Sequence, residues 1–133
     1  MNDSASPKED VTVLKCMITV TNDGSGFTAK YNPEIIPVYQ HNTHVHFKID
    51  PKSSDDVEID SVAIKPDGQT QLVDEQFSSD RKIFKLKDLN TIKGTFNLKF
   101  TYKDKNGAKI DSTMLKCGDM GIEVPEIDNN PPG

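Results

Sequence analysis

Alternation of apolar and polar residues is the dominant pattern in this chain, and it is clearest at residues 95–102. The apolar positions of this stretch are Phe96, Leu98, Phe100 and Tyr102. Because successive side chains of a β-strand point to opposite faces, the pattern predicts a half-buried strand with these four residues in a core. The dipeptide at residues 106–107, Asn-Gly, then predicts a tight hairpin turn, since both residues tolerate positive φ.

Shorter segments of the same kind recur along the chain. We expect seven to nine strands, separated at intervals of about 8–12 residues by clusters of Gly, Pro, Asn and Asp. Residues 43–50 alternate as cleanly as 95–102, and Val45, Phe47 and Ile49 would face that strand across the core. A change of phase near Asp60 predicts a β-bulge or a bend, and residues 74–82 are expected to be irregular.

The spacing of these strands is typical of an all-β, immunoglobulin-like Greek-key β-sandwich, although the chain lacks the Trp of true immunoglobulin domains. A chain of 133 residues is long enough for one such domain. We expect a disordered leader at residues 1–10, a single sandwich domain at 11–124 and a Pro/Asn-rich tail at 125–133.

An interrupted apolar segment at residues 35–39 predicts a strand at the edge of a sheet. Its apolar residues are Ile35, Ile36, Val38 and Tyr39. Pro37 lies between them and has no N–H to donate, which confines such a strand to an edge. The free backbone groups of an edge strand can pair with another chain, so this segment is a candidate interaction site.

The charge balance narrows the classes of partner. A net charge of −5 disfavours binding to nucleic acid and to anionic membranes, which both require clustered positive charge. No stretch approaches the roughly 20 apolar residues of a membrane span, so we expect no membrane insertion. The N-terminal residues lack the apolar core of a signal peptide, which predicts a cytoplasmic protein, or a periplasmic or secreted one if a signal has been removed.

Three histidines, His41, His44 and His46, are the strongest candidates for metal ligands. Residues two apart on a strand project from the same face, so His44 and His46 could hold zinc or copper, with His41 reaching over from a turn. No carboxylate stands beside them at ligand spacing, and an ordinary solvated strand face is the favoured interpretation. The rhythm of residues 33–49 resembles the cupredoxins, but the stretch from Cys117 to Met120 lacks the second His of a blue-copper ligand set.

Cys16 and Cys117 both follow a Leu-Lys pair, near opposite ends of the chain. First and last strands are often neighbours in a sandwich, so a disulfide between them is geometrically feasible. The reducing cytosol favours two unpaired thiols instead.

Catalytic motifs are absent from the sequence. It contains no nucleophile elbow, phosphate-binding glycine loop or HExxH helix, and the acidic residues 53–60 lack the spaced ligands of a calcium loop. We therefore expect no enzyme activity and no cofactor. The hypothesis that follows is a noncatalytic binding or interaction module, monomeric or homodimeric, whose partner is a protein or a small ligand.

The C-terminal residues 121–132, Gly-Ile-Glu-Val-Pro-Glu-Ile-Asp-Asn-Asn-Pro-Pro, resemble the end of the DP-EP family of small, uncharacterised bacterial β-rich proteins. Chain length and β-rich pattern are also similar. The resemblance implies a bacterial β-sandwich and no known activity.

Overall fold

The computed structural model describes residues 12–22, 24, 26–52, 54–110, 115–116 and 124–133. Residues 115–116 are described by their backbone alone. All regular secondary structure in these residues is β-strand. The strands are β1 (Val13–Asn22), β2 (Phe27–Asn32), β3 (Ile35–Val38), β4 (Thr43–Ile49), β5 (Val57–Lys65), β6 (Leu72–Phe77), β7 (Ile83–Asp88), β8 (Gly94–Asp104), β9 (Lys109–Ile110), β10 (Leu115–Lys116) and β11 (Glu126–Asn129).

Two mixed sheets form the molecule. Sheet A has the order β10-β2-β1-β4-β7-β6, and sheet B has the order β3-β11-β8-β5 with β9 also paired to β8. The pairs β1/β4, β2/β10 and β3/β11 are parallel and the others are antiparallel. The predicted all-β sandwich is confirmed. In the described part of the chain no helix is long and apolar enough to cross a membrane.

The core is formed by the two predicted rows of apolar side chains, one on β8 and one on β4. All four apolar residues of 95–102 are buried in β8, and so are Val45, Phe47 and Ile49 of β4. The rings of Phe47 and Phe100 meet across the core with centroids 5.2 Å apart. Each such side chain contributes roughly 1.5–3 kcal/mol by leaving water, so these two rows are a main source of stability.

The predicted bulge is present in β5, where the register with β8 shifts between Ile59 and Ser61. Arg81 satisfies the carbonyl groups that the bulge leaves free. Its guanidinium donates to the carbonyl oxygens of Ile59 at 2.7 Å and Asp60 at 2.6 Å, and it lies 4.1 Å from the centroid of the Phe77 ring. The chain's one arginine is therefore a structural link between the two sheets.

The expectation of an irregular segment at 74–82 is wrong for residues 74–77, which belong to β6. The register of β6 with β7 shifts between Val73 and Gln76, and Asp74 has a φ of 55°. This irregularity breaks the two-residue period on which the prediction depended.

The expectation of a C-terminal tail from residue 125 is wrong for residues 126–129. They form β11, which lies between β3 and β8 and buries Ile127 and Asn129 completely. Four residues are too few for a clear alternating pattern, and the prolines around them suggested a loop. The short strands β9 and β10 lie in different sheets. The predicted leader, residues 1–10, lies outside the described residues.

Candidate functional site

The outer face of sheet A carries a concentration of basic side chains, which we call the cationic face. Strands β1, β2, β4 and β7 place every second residue on this face, because the intervening residues fill the core. Its basic members are Lys15, Lys30, His44, His46, Lys48, Lys85 and Lys87.

The register of the strands brings these residues together. His46 of β4 is opposite Lys15 of β1 on one side and Lys85 of β7 on the other. One step along the strands, His44 is opposite Lys87. Because neighbouring strands lie about 4.8 Å apart, the row from Lys15 to Lys85 spans only about 10 Å. Five basic groups thus cover a compact area at the centre of sheet A.

Carboxylates border this charge on one side only, at Asp74 and Glu75 of the neighbouring strand β6. Strands β1, β2 and β4 contain no Asp or Glu, and Asp88, the acidic residue of β7, is buried on the core side. The ion pairs formed by the described residues use other lysines, namely Lys65, Lys82, Lys103 and Lys109. The cationic face is therefore a positive surface on a chain with a net charge of −5.

His46 responds to this environment. Partial burial lowers the pKa of its imidazole, and the positive charges of Lys85, the neighbouring His44 and Lys15 lower it further. All of these causes favour the neutral form of the His46 ring, and the lysines are the permanent charges of the face.

The predicted metal ligands are only partly brought together. His44 and His46 share one face of β4 as expected, whereas His41 lies exposed in the turn before that strand. Among the described residues, no group of three or more His, Cys, Asp or Glu side chains is placed to hold a metal ion. Lys15 and Lys85, which flank His46, would repel a divalent cation.

The candidate interaction strand β3 lies at an edge of sheet B. Its side chains divide between two faces: Ile36 and Val38 are buried in the core, while Ile35 is 46% exposed. Tyr39, just after the strand, is 60% exposed. Only Ile35 and Tyr39 of the four predicted contact residues therefore offer a side-chain surface to a partner.

The backbone of β3 limits pairing at this edge. The N–H groups of Glu126 and Asn130 donate to the carbonyl oxygens of Glu34 and Val38, both at 2.8 Å. Alternate residues of a strand point their backbone groups to opposite sides. Because Glu34 and Val38 face β11, Pro37 faces the open edge of the sheet. Pro37 has no N–H, so a strand added here would lose a hydrogen bond at the centre of the segment.

Three adjoining clefts lie at the end of the sandwich where the β4–β5 and β8–β9 loops meet. Their volumes are about 320, 480 and 240 Å³, and Asp56 lines all three. Several carboxylates here have partners within the fold: Asp55 accepts from the Asn22 N–H at 2.7 Å, and Asp56 pairs with Lys82 at 3.0 Å. Asp104 accepts from two backbone N–H groups of its own turn. These carboxylates hold the loops in place.

The strongly perturbed ionisable groups are enclosed in the core and line none of these clefts. The hydroxyls of Tyr31 and Tyr102 are 2.7 Å apart, and burial raises the pKa of both. Burial likewise raises the pKa of the Cys16 thiol to about 12, although a backbone hydrogen bond at Asn32 opposes the rise in part. The thiol donates to the Pro33 carbonyl oxygen at 3.4 Å. Cys16 is a buried free cysteine, and Cys117, with which a disulfide was the less favoured alternative, lies outside the described residues.

Sequence reasoning recognised the outward positions of single strands but missed the cationic face as a unit. The signal that could have found it is the composition of those positions, which carry Lys and His and lack Asp and Glu in four separate segments. Their adjacency depends on the order β2-β1-β4-β7.

Comparison with known proteins adds no identification: no protein-family model matches the chain, and no curated protein matches it. The resemblance to the DP-EP family stays a prediction.

Proposed function

We propose that this protein is a noncatalytic β-sandwich binding module that holds an anionic partner on the cationic face. The observation that carries this proposal is the group of lysines on that face that form no ion pairs. Five lysines project from adjacent strands of sheet A, and none of them joins an ion pair within the described residues. Gathering like charges on one face costs free energy, which a bound anion offsets.

The absence of a structural task for these lysines supports this role. Lys82 and Lys103, by contrast, tie loops or strands together through Asp56 and Asp60. A noncatalytic role fits the placement of the perturbed groups: Cys16, Tyr31 and Tyr102 are buried away from the surface clefts. Candidate general acids and bases usually line an accessible pocket.

The edge strand β3 has weaker support as the main binding surface. Pro37 interrupts its outward row of N–H donors, and two of its four predicted contact residues are buried. Ile35 and Tyr39 could still add apolar contacts to a partner that reaches this edge.

Metal binding by the histidines is the alternative function. It rests on His44 and His46 alone, and the lysines beside them oppose it. Titration of untagged protein with zinc or copper tests it directly, because a stoichiometric site requires both imidazoles and is lost in His46→Gln.

The main experiment measures binding to a soluble sulfated polysaccharide, a generic polyanion, at neutral pH and low salt. The variant Lys15→Gln/Lys85→Gln/Lys87→Gln removes charge from the cationic face. The matched control, Lys52→Gln/Lys93→Gln/Lys99→Gln, removes the same charge from exposed positions elsewhere.

We expect the wild type and the control to bind and the face variant to lose roughly tenfold or more in affinity, because three close charge contacts disappear. We also expect binding to weaken with salt, since exposed charges are screened beyond about 10 Å at 0.1 M. Failure of the wild type to bind, or equal losses in the two triple variants, would remove the basis of the proposal.

A further inference from the structure

The spacing of basic groups along the strands of the cationic face defines a repeat. His44, His46 and Lys48 are two residues apart from each other along β4. Lys85 and Lys87 are likewise two residues apart along β7. Side chains two residues apart on a strand are about 6.8 Å apart. An extended polypeptide has the same repeat, so acidic residues at every second position would meet these basic groups in register.

Aliphatic side chains share the same rows. Val13 is opposite His44, Met17 is opposite Lys48, and Ile83 lies on the other side of Lys48. Val13 is 41% exposed. A polypeptide partner can use these positions for apolar contacts between its charged ones, whereas a sugar-phosphate backbone cannot.

The chemistry of the face differs from that of a nucleic-acid site. It carries lysine alone as its permanent cation, because the chain's one arginine, Arg81, is bound to backbone carbonyls. Arginine is the residue whose planar fork matches phosphate. The outward positions of β1, β2, β4 and β7 also contain no Phe, Tyr or Trp on which bases could stack.

The strand β6, at one edge of sheet A, limits how far an anion can extend across the strands of this face. Asp74 and Glu75 lie exposed on β6, next to Lys85 and Lys87, and Asp74 lines a cleft of about 150 Å³ together with those lysines and His44. A long polyphosphate crossing the strands would meet this negative border. A segment running along β4 and β7 stays parallel to this border and meets it on one side only.

We propose that the cationic face binds an extended acidic polypeptide segment, with carboxylates at alternate positions, aligned with β4 and β7. This partner assignment rests on the proposed function and names its ligand class. The acidic segment contributes charge complementarity at the lysines and side-chain contacts at Val13, Met17 and Ile83.

The test compares three labelled probes by fluorescence anisotropy with the full-length protein at neutral pH and low salt. The first is a peptide in which Glu alternates with Ser and Val. The second has the same composition with its Glu residues contiguous, and the third is an oligodeoxythymidylate of equal charge. Each is measured against wild type, Lys85→Gln/Lys87→Gln and the control Lys93→Gln/Lys99→Gln, and circular dichroism verifies that all three proteins fold.

We expect the alternating peptide to bind more tightly than the other two probes. Removing Lys85 and Lys87 should weaken it by about fivefold to tenfold, because two charge contacts are lost, while the control variant changes it less than twofold. Tighter binding of the oligonucleotide, equal binding of the two peptides, or no peptide binding by a protein that binds the sulfated polysaccharide would overturn the partner assignment and leave the proposed function standing. Loss of polysaccharide binding as well would overturn both.

Discussion

Replacement of Asp88 by Asn should stabilise this protein at neutral pH, because Asp88 is a buried carboxyl group without a cationic partner among the described residues. Asp88 is fully buried at the end of β7. Its Oδ1 accepts from the Asn90 N–H at 2.9 Å, and its Oδ2 has no hydrogen-bond partner. The side-chain Oδ1 atoms of Asn90 and Asn129, both buried beside it, also lack donors.

The environment therefore offers too few donors for an ionised carboxylate. Burial raises the pKa of Asp88 above its ordinary value of 3.8, and the nearby Asn129 side chain and the Asn90 N–H oppose this rise only in part. The folded-state pKa is above the unfolded-state pKa, so ionised Asp88 destabilises the fold at pH values above its folded pKa. This penalty declines as the pH falls towards 3.8, and the protonated group can then donate to a neighbouring amide oxygen.

An asparagine keeps the shape of Asp88 and the acceptor for the Asn90 N–H. It removes the charge and places an N–H donor where Oδ2 now lies without a partner. The gain should be about 1–3 kcal/mol in the free energy of unfolding at pH 7.5, which is the range for a buried polar group that gains its missing partner.

Urea denaturation of wild type and Asp88→Asn from pH 4.5 to 8 measures this effect. The two free energies of unfolding should converge at the acid end of the range. Asp67→Asn is the control, because Asp67 is exposed and its pair with Lys65 is a surface contact. If Asp88→Asn destabilises the protein at pH 7.5 by more than about 1 kcal/mol, a bound cation or a local donor stabilises the carboxylate and the reasoning is wrong.

Three further predictions concern the core. Phe100→Ala should cost roughly 3–5 kcal/mol in urea denaturation, since the ring of Phe100 is buried among four other aromatic rings; a loss below about 1 would show that the core is placed incorrectly. Tyr31→Phe should cost about 1–3 kcal/mol because it leaves the buried hydroxyl of Tyr102 without its partner, and the double variant with Tyr102→Phe should lose less than the sum of the single variants. In a Cys117→Ser background, Cys16 should not react with an aromatic disulfide reagent at pH 8 until the protein is unfolded, because burial raises its pKa to about 12; rapid labelling of the folded protein would contradict this.

The local pattern of apolar and polar residues was sufficient to predict the strands whose alternation is long and regular. Residues 95–102 and 43–50 were assigned to the correct faces, because a strand with one buried face must be apolar at every second position. The bulge near Asp60 was also visible, as a change of phase within one segment. The pattern did not predict the short or irregular strands, because β6 contains a register shift and β11 has only four residues.

The cationic face shows that sequence alone does not predict which residues of different strands are neighbours. The sequence determined that His46 points away from the core, because residues 43–50 alternate cleanly, whereas it assigned no face to Lys15 or Lys85. Only the tertiary structure decided that these three residues are neighbours, because β1, β4 and β7 are distant in the chain and adjacent in sheet A. Strand order arises from pairing between remote segments, and periodicity within one segment carries no information about which segment lies beside it.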